Sequence, residues 1–273
     1  MTRVASIQMV SGGNLQANLE QARQLISYAA QQGAKLVVLP ENFALFDTAA
    51  MRDAGREEAE RETVRAFLGL QARTHGVWLV GGSVPCAQRP DGQRLADRAR
   101  STCWVFDHQG EVVGRYDKIH LFDVEVQDGH GRYCESEVFE PGDQPLVVDT
   151  PWGKLGVAIC YDLRFPELFR LLRDQGAELI ALPAAFTQVT GEAHWHVLLR
   201  ARAIENQCFV IASGQGGRHS ERRQTYGHSL VIDPWGHILA EQATGPGVVV
   251  ADLQWERLEE VRRQMPVQQH RRL

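Results

Sequence analysis

The stretch from Gly153 to Glu167, GKLGVAICYDLRFPE, constrains the fold of this 273-residue chain more than any other. Its first half is a short apolar run ending at Cys160, which predicts a buried strand. In its second half Pro166 suits a first helical turn and Glu167 complements the positive end of a helix dipole, so a helix opens there. Cys160 is thereby placed where a buried strand gives way to a helix. Free backbone N–H groups at such a junction stabilise anions and are expected to lower the pKa of a thiol. A lone cysteine reads as core, since free cysteines are among the most buried side chains. The case for chemistry rests on the residues elsewhere that share its setting.

Strand, helix and strand alternate on both sides of that stretch. Val4 to Val10 predicts a first strand; Asn14 caps a helix with Leu15, Leu19, Ala22, Ile26 and Ala29 on one face, and Gly33 ends it. Leu36 to Leu39 is too short for a helix and is followed by Pro40, as in a strand buried on both faces. A charged helix is expected from Ala54 to Thr74 and a strand from Val77 to Gly82. Ser101–Asp107 and Glu111–Tyr116 flank His108-Gln109-Gly110 as a hairpin, which leaves Lys118 exposed at its end. Phe122 to Gly142 shows no period, and unstructured connections of that length in a compact domain are usually functional. Later strands are expected at 146–148, 154–159, 178–182, 208–213, 229–232, 237–241 and 248–251, with helices around 191–206 and 255–264. The pattern predicts a four-layer α-β-β-α sandwich of two mixed β-sheets flanked by helices. Residues 1–265 form the expected single domain, and 266–273 a polar tail that leaves it, at a subunit interface.

The formal net charge of -5 provides no basic field for nucleic acid or an anionic membrane. No apolar run is long enough to span a bilayer, and the N-terminus enters a strand without a signal-like segment. Five scattered cysteines, with no C-x-x-C pair, argue against a disulfide framework or structural zinc and fit a reducing, cytoplasmic setting. His194 and His196 lie two apart on a predicted helix, point different ways, and read as packing and hydrogen-bonding residues rather than metal ligands.

Acyl transfer through cysteine needs a nucleophile, a base, and charge to hold an oxyanion. Glu41, Lys118 and Cys160 all fall at carboxyl ends of predicted strands, where α/β sheets gather their chemistry. A desolvated glutamate can serve as the base without a histidine, because burial raises its pKa toward neutrality.

Leu39-Pro40-Glu41-Asn42, Arg115-Tyr116-Asp117-Lys118-Ile119-His120-Leu121 and the Gly156–Glu167 stretch together resemble the nitrilase superfamily of carbon–nitrogen hydrolases. The resemblance covers essentially the whole chain. It implies Glu41 as general base, Cys160 as nucleophile, Lys118 as stabiliser of the tetrahedral intermediate, and Glu135 as an additional carboxylate that orients the lysine. It also implies the Tyr161 backbone N–H in the oxyanion hole, and Phe186 and Thr187 at the substrate. The segments His120–Val124, Thr190–Trp195, Arg200–Gln207 and Asp233–Gly236 resemble the Nit branch, and within it Arg202–Glu205 and Gly217–Ser229 resemble the members that act on a ketoglutaryl dipeptide. That branch implies a thiol amidohydrolase of the EC 3.5.1 type, cleaving the amide between an α-ketoglutaryl group and cysteinylglycine. Arg164, one turn beyond the nucleophile, is the candidate for the ketoglutaryl carboxylate, and Arg218, Arg222 and Arg223 for that of the dipeptide. An ω-amidase acting on α-ketoglutaramate is the alternative, and a catalytically silent binding protein is the rival from another class. Neither metal nor organic cofactor is implied, and the expected partner is a second copy of the chain, in a homodimer or a larger homo-oligomer.

Overall fold

Two sheets meet face to face in the computed structural model, which describes residues 1–128 and 131–272. The first half of the chain builds β1 (Thr2–Gln8), α1 (Leu15–Gln31), β2 (Leu36–Val38), α2 (Met51–Arg61) and α3 (Thr63–His75). It continues through β3 (Trp78–Val80), β4 (Val84–Cys86), β5 (Arg100–Phe106) and β6 (Val112–Asp117). After a small hairpin of β7 (Asp123–Glu125) and β8 (Arg132–Cys134), the second half begins with β9 (Leu146–Thr150), β10 (Gly153–Val157) and α4 (Pro166–Asp174). It ends with β11 (Leu179–Ala184), α5 (Gln188–Asn206), β12 (Phe209–Gly214), β13 (Ser229–Ile232), β14 (Ile238–Gln242), β15 (Gly247–Leu253) and α6 (Trp255–Gln264). One sheet runs β15-β1-β2-β3-β5-β4 with β6 beside β5; the other runs β14-β13-β12-β11-β10-β9. Both are mixed: β1-β2-β3 and β10-β11-β12 are parallel, and their neighbours are antiparallel.

The short apolar runs are strands buried on both faces because a pleat sends alternate side chains to opposite sides. Val4, Leu36, Val38, Trp78 and Val80 join the core shared with Leu155, Val157 and Val210 of the opposite sheet. Ala5, Ile7, Val37, Leu39 and Leu79 point outward onto Leu19, Ala22 and Ile26 of α1 and Leu68 and Ala72 of α3. Polar seams cross between the sheets: Ser6 Oγ donates to Ala212 O at 2.7 Å, and Gln8 accepts from Ser229 Oγ at 2.8 Å. Such bonds contribute about 1 kcal/mol net each. Each large buried apolar side chain contributes about 1.5–3 kcal/mol, so the layers hold the sandwich and the seams fix its register.

Four expectations are corrected. The charged helix breaks at Glu62, which takes a left-handed φ of 53°. Both oxygens of the buried Glu58 carboxylate then accept from Val64 N and Arg65 N at 2.8 and 2.9 Å, capping α3 from six residues upstream. The Phe122–Gly142 connection is ordered in part, with β7 paired to β8 and a 3₁₀ turn at Glu135–Glu137; Gly129 and His130 lie outside the described residues. Lys118 is 1% exposed rather than a surface lysine. The polar tail folds back rather than leaving the domain: Gln268 Nε2 donates to Glu205 O at 3.4 Å and Arg271 Nη1 to Asp174 Oδ1 at 2.7 Å.

Candidate active site

Three strand ends and one turn converge on Cys160. Glu41 follows β2, and Gln215 Nε2 donates to its carbonyl at 3.1 Å. Gly82 sits over that corner with φ +61°, where a Cβ would come within 2.2 Å of Pro40 O, so only glycine lets the chains approach so closely. Lys118 follows β6; its N–H donates to Ser101 O, and its carbonyl accepts from Gly142 N at 2.8 Å. A Cβ on Gly142 would meet Asp117 O at 2.1 Å, so the long connection can close over the lysine only through a glycine. Glu135 opens the 3₁₀ turn after β8, and Phe122 N donates to its Oε2 at 2.8 Å.

Cys160 opens a 3₁₀ turn over Cys160–Arg164 just past β10, and α4 starts at Pro166 with Glu167 in its first turn. Its φ is +48°, left-handed for a residue with a Cβ, a conformation worth about 1–3 kcal/mol of strain that the surroundings must hold. Asp162 holds it. That fully buried carboxylate accepts from Ile159 N at 2.8 Å, Tyr116 OH at 2.7 Å and His120 N at 3.1 Å, and is 2.7 Å from His120 Nδ1. The Cys160 sulfur is met by Ala185 N, 3.5 Å from Sγ, just past the end of β11.

Lys118 Nζ lies 2.8 Å from Glu41 Oε1, and 3.0 and 2.8 Å from the two oxygens of Glu135. Burial alone would lower the lysine pKa, but the Glu135 and Glu41 carboxylates overturn this and hold it well above its ordinary value. The ammonium therefore stays charged at any physiological pH. Burial pushes the Glu41 carboxyl up; Lys118 opposes that and Glu135 reinforces it. Burial, and then the Glu41 charge, push the Cys160 thiol well above its usual range. This corrects the expectation of a helix-lowered thiol: one cation shared between two carboxylates leaves net negative charge beside the sulfur. Both directions favour a neutral Cys160 thiol beside the buried Glu41 carboxyl.

Glu41, Glu135 and Cys160 line a cavity of about 300 Å³, while the buried Lys118 is not on its wall. Tyr161, Arg164, Phe186 and Thr187 line it too, with the Thr187 hydroxyl also capping α5 by accepting from Thr190 N at 3.3 Å. Arg164 stacks over the Phe186 ring at 5.3 Å and lies 3.2 Å from His194 Nδ1. Asn42 Oδ1, on the cavity wall, is buried without a hydrogen-bond donor among the described residues. Asn42, Asp162 and Ala185 were not singled out from sequence. Asn42 and Ala185 could have been, since Asn42 directly follows Glu41 and Ala185 directly precedes Phe186.

His196 turns away from His194, to Glu241 Oε1 at 2.9 Å, and His228 Nδ1 bonds the same oxygen. Among the described residues these three are the one group whose ligand atoms cluster as a metal site would; Glu241 already satisfies both rings. They lie apart from the cavity.

The chain matches the carbon–nitrogen hydrolase family over residues 3–263. It is 46% identical over 269 residues to a deaminated glutathione amidase of Yersinia enterocolitica, covering 98% of this chain and 92% of that one. Among solved structures it is similar to the C. elegans NitFhit protein, at TM-score 0.88 and 38% identity, covering 99% of this chain and 65% of that longer one. It is also similar to Saccharomyces cerevisiae Nit3, a member of branch 10 of the nitrilase superfamily, at TM-score 0.86 and 35% identity, covering 100% and 97% of the two chains.

Proposed function

This chain belongs to the carbon–nitrogen hydrolase family, as an amide-cleaving enzyme of the Nit branch, and we propose that it is a deaminated glutathione amidase. In that reading it hydrolyses the amide between an α-ketoglutaryl group and cysteinylglycine, with Cys160 as nucleophile. The observation that carries the mechanism is the Lys118 ammonium held between Glu41 and Glu135, two carboxylates that share one cavity wall with Cys160.

Glu41 takes the thiol proton as Sγ attacks the amide carbonyl, and the carbonyl π electrons move onto oxygen. Lys118 and the Tyr161 N–H receive that oxyanion; the first N–H groups of a helical turn have no partner within it. Collapse breaks the C–N bond, and Glu41 returns its proton to the leaving amine. Water, deprotonated by the same carboxylate, then attacks the thioester and releases α-ketoglutarate and the thiol. Glu135 acts by positioning Lys118. Arg164, held on Phe186, pairs with the ketoglutaryl carboxylate, while Phe186 and Thr187 pack against the acyl group. The catalytic unit is one domain over residues 1–265.

Mass spectrometry of wild type and Cys160→Ala incubated with the ketoglutaryl dipeptide tests this reading. Cysteinylglycine and α-ketoglutarate are expected from wild type alone; substantial turnover by the alanine variant would sink the mechanism. Ammonia released from α-ketoglutaramate, with no dipeptide product, would move the substrate to that of an ω-amidase.

The exposed apolar side chains Leu171 of α4 and Val189, Val197 and Ile204 of α5 support a homodimer through these helices, with the 266–273 tail alongside. Sedimentation at micromolar concentration should give a dimer or larger; a monomer contradicts this. Five unpaired cysteines suit a reducing cytoplasm, and disulfide formation in the protein isolated from its cell would argue against that location.

A further inference from the structure

Three arginines share the loop between β12 and β13, and their surroundings differ. Arg218 is exposed and donates to the carbonyls of Ser220 and Glu221 at 3.2 and 3.1 Å. Arg222 is exposed and off the cavity wall. Arg223 is half-buried and lines the cavity. Its guanidinium lies 4.2 Å from the Phe46 ring centroid and 5.7 Å from that of Tyr133, and Nη1 donates to Thr48 Oγ1 at 3.3 Å.

Two other arginines line the same cavity. Arg132 lies 3.7 Å from Glu137, whereas Arg164 is near His194. Among the described residues, neither Arg164 nor Arg223 has a carboxylate within ion-pair distance. A guanidinium whose plane is fixed by aromatic rings has less freedom to lose on binding, and its fork matches a carboxylate. Arg164 comes from the turn after Cys160 and Arg223 from a different loop, so the cavity offers two separate anion sites. That suits a substrate with a carboxylate on each side of its scissile amide.

Resting on the function proposed above, we propose that Arg223, with Thr48, forms a second carboxylate subsite for the free C-terminus of a peptide-like leaving amine. The subsite selects amides of amino acids and dipeptides over unsubstituted amides. Arg223 touches no reacting atom in this account and sets specificity through KM.

The test is steady-state kinetics on two substrates, α-ketoglutaryl-cysteinylglycine and its C-terminal carboxamide, with wild type, Arg223→Gln, Arg223→Lys and Arg218→Gln. A lost charge-assisted pair is worth about 10–100-fold. Arg223→Gln should therefore raise KM for the carboxylate substrate by that factor with kcat little changed. It should affect the carboxamide less than about threefold, and Arg223→Lys should recover part of the loss. Arg218→Gln should behave as wild type. Equal losses on both substrates would assign Arg223 to packing on Phe46 and Tyr133, and unchanged KM would leave the subsite without support; either overturns the proposal while the amidase reading stands. Wild type inactive on both substrates would overturn the amidase reading and the subsite with it.

Discussion

Glu41 and Asp162 are both buried acids just past the carboxyl ends of strands, and both serve Cys160, yet their oxygens meet opposite company. Asp162 accepts from two backbone N–H groups and a tyrosine hydroxyl and lies against His120 Nδ1, and it is absent from the cavity wall. Glu41 has one cation, shared with Glu135, and faces the cavity beside the thiol. A carboxylate saturated with donors is a fastener, because moving any proton onto it would break several bonds at once. One that burial has destabilised, with capacity to spare, can accept a proton, as the role proposed for Glu41 requires. The difference lies in how many donors reach each oxygen, not in residue type or burial.

The comparison sharpens most in paired isosteric variants. Glu41→Gln should lower kcat/KM by about 10²–10⁴-fold, the range for a positioned general base. The same variant should keep or raise the melting temperature, since it removes a buried charge and leaves Lys118 balanced by Glu135. Asp162→Asn should do the reverse in emphasis. It sets an amide donor against existing donors, costs about 1–3 kcal/mol of stability, and lowers kcat less than Glu41→Gln does. Thermal melts and steady-state assays on the two proteins check both; equal melting temperatures would erase the distinction between fastener and base.

The sequence carried one side of this comparison and not the other. Glu41, Lys118 and Cys160 were legible because each falls at the carboxyl end of a predicted strand, where such sheets place chemistry. Trp255–Gln264 was likewise legible from its own pattern. Asp162 was not, since its role depends on Tyr116 and His120, more than forty positions upstream, which only the sandwich brings near. The burial of Lys118 escaped for the same reason: its two carboxylates lie 77 and 17 residues away. Strand β4 was missed because Pro85 argues against a strand, and it is tolerated there because β4 is an edge paired on one side only. Glu62 gives no local sign of breaking a helix; the cap from Glu58 makes the break affordable.

In the mechanism proposed above, Cys160 rests as a neutral thiol and is activated by Glu41. The direct test is the rate of Cys160 alkylation by iodoacetamide against pH, followed by intact mass, in wild type and Glu41→Gln. Burial raises the Glu41 pKa, so wild type should gain reactivity as pH rises through a value above the usual glutamate range. Glu41→Gln should stay nearly inert near neutrality and react only in strong alkali, where a buried thiol ionises unaided. Equal rates for the two proteins at neutral pH would mean a preformed thiolate and would contradict the account.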